Sequence, residues 1–129
     1  HREALLAAES VLKPRGSASW EDLEPTAWVV ATAPLERLRP VFDATLGAIR
    51  RHDPQGRLEH TLRTHLELGR SLAHTAAHLG LHVNTVRKRL QQLEAILGGS
   101  LESAALLSSL RLALLAERRL LAEEGAGRR

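Results

Sequence analysis

Residues 71–97 read SLAHTAAHLGLHVNTVRKRLQQLEAIL, and this stretch decides the fold. Ser71 suits the position before a helix, where its hydroxyl can take an orphan amide of the first turn. Leu72, Ala76 and Leu79 recur at spacings of four and three, which makes one apolar stripe on a helix. Gly80 follows, as a residue able to adopt positive φ usually does where a helix closes. A second helix is predicted to begin near Val83 or Asn84, with Val86, Leu90, Leu93 and Leu97 as its stripe. At about 100° per residue those four side chains fall within roughly 60° of one another. Asn84, Arg87, Lys88 and Gln91 then point the other way. No Asp or Glu lies between Leu68 and Leu93, whereas Arg70, Arg87, Lys88 and Arg89 do. A helix of small residues, a glycine turn and an acid-free cationic helix are what a helix-turn-helix needs to enter a DNA major groove.

The expected partner is therefore double-stranded DNA. The N-terminal half of the second helix is expected to meet the bases through His82, Asn84, Thr85, Arg87, Lys88 and Gln91. Asn84 and Gln91 suit adenine, and Arg87 or Lys88 suits guanine, by the donors and acceptors on those base edges. Arg70, Ser71 with the amides opening its helix, and Arg89 are expected to hold phosphates. The competing possibility is an αα-hairpin whose basic face is merely solvated, or a helical interaction and dimerisation module in which that face meets an acidic protein. Salt dependence of duplex binding separates the two.

The same residues resemble a known family. LAHTAAHLGLHVNTVRKRLQQLEAILG is similar to the C-terminal helix-turn-helix of the PucR/CdaR-type bacterial transcriptional regulators. The resemblance rests on Leu72, Ala76, Leu79, Gly80, Leu81, His82, Asn84, Thr85, Val86, Arg89 and Leu90. It extends through TLRTHLELGRSL upstream and LGGSLESAALLSSLRLAL downstream, covering about residues 35–121. His-x-Asn-Thr-Val is its most specific piece, while the bare helix-turn-helix outline is shared with other families, Fis-like domains included. It departs at Lys88, where the family often carries an aromatic residue. It implies a DNA-binding domain that ends the chain behind a sensory region.

Composition bounds the rest. The chain has 129 residues, 43% of them hydrophobic and only 2% aromatic, namely Trp20, Trp28 and Phe42. A core built of Leu and Ala favours helices over sheet. Net charge is +3, and the acid-free stretch alone carries +4 by count, which leaves the rest close to neutral, so the basicity is local, as a nucleic-acid footprint is. There are no cysteines, which removes disulfides and thiolate zinc sites and suits a cytoplasmic protein. No apolar run is long enough to span a bilayer. There is also no methionine, and we read the chain as the C-terminal part of something longer. One helix-turn-helix buries little DNA surface, so a homodimer is expected for the full-length protein.

Taken in order, residues 2–12 form a predicted helix ended by Lys13-Pro14-Arg15-Gly16. Residues 26–31, TAWVVA, read as helix or strand. Residues 1–33 are assigned to the tail of an upstream sensory domain or a linker, with Trp20 and Trp28 in packing roles. A turn of helix follows through Leu38, and Pro40 is expected to open a new helix at residues 41–51. His52-Asp53-Pro54-Gln55-Gly56 is a turn cluster. Residues 57–68 make the next helix, stopped at Gly69. After the helix pair, Gly98-Gly99 ends the second helix, and Ser100 or Ser103 caps a last one running to about Glu123. The fold class is thus all-α: a helix-turn-helix bundle over residues 34–123, a short N-terminal remnant, and a disordered tail at 124–129.

Other chemistry finds no support in the sequence. His74 and His78 are four apart on one helix but lack a third ligand, so no metal is expected. Thr61, Ser71 and Ser100 lack triad partners, and there is no Gly-rich phosphate loop. No enzyme activity and no cofactor are expected.

Overall fold

The computed structural model describes residues 25–127; the helix predicted at 2–12, Trp20, and the last two residues lie outside them. Among the described residues every regular element is helical. They are α1 (Pro25–Thr32), α2 (Leu35–Phe42), a π-helical turn (Asp43–Gly47), α3 (Ala48–His52), α4 (Arg57–Glu67), α5 (Leu72–Leu79), α6 (Val83–Leu97) and α7 (Ala104–Gly127). The protein is all-α, as its 3.6-residue periodicity predicts.

Four local expectations are settled or corrected. TAWVVA is helix, within α1. Pro40 does not open a helix; it lies inside α2, which Pro34 precedes with extended backbone at φ −61° and ψ 142°. A proline removes one i→i−4 bond and crowds the preceding turn, and the π-helical turn follows directly at Asp43. Ser103, rather than Ser100, caps α7, its hydroxyl accepting from the Leu106 amide at 3.3 Å. Ser100 instead accepts from the Glu102 amide at 3.0 Å in the turn before it. α7 runs on to Gly127, past the end at Glu123 that the sequence suggests.

The described residues divide into two compact units, one of residues 25–43 together with 108–127, the other spanning residues 44–107. In the first, Val30, Leu38, Ala116 and Leu120 are buried together, with Phe42, Leu112 and Leu115 packed against them. The Arg119 guanidinium closes the end of α1, donating to the carbonyl oxygens of Val30 and Ala33. Those are among the carbonyls a helix end leaves without intrahelical donors.

In the second unit, α6 packs against α3, α4 and α5. Leu46, Ile49, Leu62, Val86 and Leu93 are fully enclosed, so Val86 and Leu93 of the predicted stripe form the inward seam. The 52–56 turn is built by Asp53, whose Oδ2 accepts from the Leu58 amide at 2.8 Å and so caps α4. Arg50 ties α3 to α4 through a two-pronged bond to Glu59, Nε to Oε1 at 2.7 Å and Nη2 to Oε2 at 3.0 Å. Arg63 donates to the same carboxylate at 3.1 Å. The bond from Arg50, helped by Arg63 and opposed by partial burial, holds the Glu59 carboxyl below the usual range.

Candidate nucleic-acid interface

The helix pair follows from its end groups. At its start, the Ser71 hydroxyl accepts from the His74 amide at 3.2 Å, the predicted cap. At its end, Gly80 is left-handed at φ 67°. There the Leu81 amide reaches the Ala76 carbonyl at 3.0 Å and the Gly80 amide reaches that of Ala77 at 3.3 Å. These two bonds close α5 and turn the chain within residues 80–82. His82 then caps α6: its Nδ1 accepts from the Asn84 amide at 3.0 Å, so the neutral ring carries its proton on Nε2.

Ala76 is 3% exposed on α5, which packs against both α4 and α6. Thr75 beside it is also fully buried, which the stripe Leu72-Ala76-Leu79 does not announce. The Thr75 hydroxyl donates to the Ser71 carbonyl at 2.7 Å and lies 3.3 Å from Nδ1 of His65 on α4. His65 is itself buried, and burial pushes its imidazole below the ordinary value, with the Arg70 charge adding to the effect and Glu102 opposing it. A buried histidine bonded to a buried threonine therefore joins α4 to α5.

The expected base-reading residues sit as follows. Asn84, Thr85, Arg87, Lys88 and Gln91 are all exposed on α6, opposite Val86 and Leu93, and His82 is exposed at its start. Asn84 and Arg87 are bonded to each other, Nη1 donating to Oδ1 at 2.6 Å. The expected phosphate-holding residues do not form one group. Arg89 turns inward along α6, its Nη1 donating to the Thr61 hydroxyl of α4 at 3.1 Å. Arg70 is exposed, has the left-handed φ of 63°, and donates to Glu102 at 3.1 Å. Ser71 spends its hydroxyl on the α5 cap. Glu102, 32 residues further on, is a carboxylate that the acid-free count could not see. His74 and His78 are exposed, and among the described residues no three His, Cys, Asp or Glu side chains gather as a metal site would require. No helix among the described residues is long and apolar enough to cross a membrane.

Two capped helices joined by a three-residue glycine turn, the second with a buried aliphatic seam and a polar outer face free of acidic residues as far as Leu93, define a helix-turn-helix. The family described as the PucR C-terminal helix-turn-helix domain matches residues 58–116, so this segment is similar to that domain. The chain is also 36% identical over 86 residues to the "Purine catabolism regulatory protein" of Bacillus subtilis (strain 168). That alignment covers 66% of this chain but 16% of the relative, so the chain spans only a small part of the relative's length. No solved structure matches.

Proposed function

We propose that the chain is the DNA-binding output domain of a bacterial transcriptional regulator. In this reading the domain occupies residues 34–123, behind a remnant of an upstream sensory domain at 1–33. Helix α6 lies in the major groove of double-stranded DNA, with His82, Asn84, Thr85, Arg87, Lys88 and Gln91 toward the bases. Arg70 and the amides opening α5, with Ser71 as its cap, hold phosphates. The protein works in the cytoplasm as a homodimer in its full-length form, without enzymatic activity or cofactor.

The observation that carries this reading is the outer face of α6. Asn84, Thr85, Arg87, Lys88 and Gln91 are exposed together on a helix whose other side is anchored by Val86 and Leu93. The relative named above is a regulatory protein by its description, and the matched family is a helix-turn-helix. Amide and guanidinium groups on a rigid helix match base edges, and neighbouring cations release counterions from the phosphates.

The test compares duplex affinity of wild type, Gln91→Ala and Arg70→Ala at several salt concentrations. Loss of a base contact should cost about 1–3 kcal/mol on the operator and much less on random DNA. Loss of a phosphate contact should weaken both alike and flatten the salt slope by about one. If neither variant changes binding to any duplex, α6 is not the reader and an acidic protein partner becomes the better assignment.

A further inference from the structure

We infer that Arg87 and Asn84 read DNA as one unit specific for guanine, with Arg87 as the base-contacting residue and Asn84 as its positioning residue. This rests on the reading of α6 as the major-groove helix and departs from the sequence expectation that Asn84 addresses adenine by itself.

The two side chains stand three positions apart on α6 and therefore share a face. Their bond is short, 2.6 Å from Arg87 Nη1 to Asn84 Oδ1. Both are exposed, and among the described residues Arg87 has no carboxylate partner. The backbone under the pair is fixed as well, because the Asn84 amide is bonded to His82 Nδ1 at the helix cap.

Hydrogen-bond chemistry then selects the base. Pairing with adenine needs an amide that accepts from N6 while it donates to N7. Asn84 commits one Oδ1 lone pair along the helix to Arg87, which turns its oxygen away from the accept-and-donate geometry that adenine needs and leaves its NH2 as the donor it offers. The guanidinium has five N–H donors, of which Nη1 supplies one to Asn84. Its Nε–Nη2 edge keeps two parallel donors, which match guanine O6 and N7. The pair's free donors are then the Asn84 NH2 and the Nε–Nη2 edge of Arg87, and the base edge that matches them is the one with two acceptors. Holding Nη1 also removes rotamer freedom that a lone arginine would lose on contacting the base.

The experiment selects bound duplexes from a random pool with the whole chain, as wild type, Asn84→Ala, Arg87→Ala, the double variant and Asn84→Asp. All four variants change only Asn84 or Arg87, both on the solvent face, and circular dichroism checks that each is folded. Wild type is expected to select a guanine that Arg87→Ala loses by about 5- to 150-fold, the discrimination of one bidentate pair. Asn84→Ala should relax the same position, and the double variant should be no worse there than Arg87→Ala. Asn84→Asp keeps an acceptor for Arg87 and should retain the guanine preference while binding all duplexes less tightly. Substituting 7-deazaguanine at that position should weaken wild type and leave Arg87→Ala unchanged. The inference is overturned if Asn84→Ala loses preference at a separate adenine while the guanine is kept, or if Asn84→Asp loses the guanine as fully as Asn84→Ala. A wild type that selects no sequence at all overturns the DNA-reading assignment itself, a different result from either.

Discussion

His65 shows how much one side chain can carry in a chain built of leucine and alanine. It is buried on α4 beside Thr75, and its backbone carbonyl accepts from the Arg70 amide at 2.7 Å. The imidazole titrates below its ordinary 6.5, first because of burial and then because of Arg70. The folded protein thus holds His65 neutral at pH values where the unfolded chain takes up a proton. Stability is full above the unfolded pKa and falls as pH drops below it toward the lowered folded value. Wild type should lose melting temperature between about pH 7.5 and about pH 5.5, and His65→Gln should lose less over the same interval. Glu59 does not confuse the comparison. Its lowered pKa gives stability that is lost only as pH falls below the ordinary 4.5. Equal losses in wild type and His65→Gln would show that the histidine is not linked to folding.

At the scale of elements, the helix pair contains two positions that test different physics. Gly80 has φ 67°, and a Cβ placed on it would meet no atom within 4 Å. Gly80→Ala should therefore cost only the left-handed backbone term, about 1–2 kcal/mol in urea unfolding. Ala76 is the opposite case, with ordinary helical backbone and no room around it. Ala76→Leu should cost about 1–3 kcal/mol by overpacking, and Ala76→Glu more, because it buries a charge without a partner. If Ala76→Glu melts where wild type does, α5 does not use this face against its neighbours. A Gly80→Ala change far above the backbone cost would point to a contact at the turn in the assembled protein.

For the whole molecule, the proposed function raises the question of how many copies would meet DNA. A single reading helix engages few base pairs, and two joined copies gain from the high effective concentration of the second. Half-sites read by a symmetric pair lie about 34 Å apart, or a multiple of it, so that both helices enter the groove on one face of the duplex. Full-length protein is expected to sediment as a dimer and to lose affinity when about five base pairs are inserted between half-sites, which turns one of them to the opposite face. Inserting about ten should restore much of it. A full-length monomer that binds one isolated half-site tightly would overturn the dimer. Binding by this chain alone should be weaker than binding by the full-length dimer.

The sequence by itself determined the helix pair, whose features depend on neighbours along the chain. Leu72, Ala76 and Leu79 and the Val86-Leu93 seam are local patterns of period 3.6, Ser71 and Gly80 bound the first of them, and the helices run where those patterns run and stop where they end. The outer face of α6 was legible for the same reason, because whatever stands opposite a buried stripe is exposed. Only the tertiary structure decided which charges are committed elsewhere. Arg70 meets Glu102, Arg89 meets Thr61, and His65 meets Thr75, and each contact joins residues from different elements. No spacing rule connects positions 28 or 32 residues apart, and a polar side chain among leucines gives no signal of being buried until its partner is known. Pro40 fails for a related reason. Its local preference for a helix start was overridden by the packing of Leu38 and Phe42 on either side of it, within one helix.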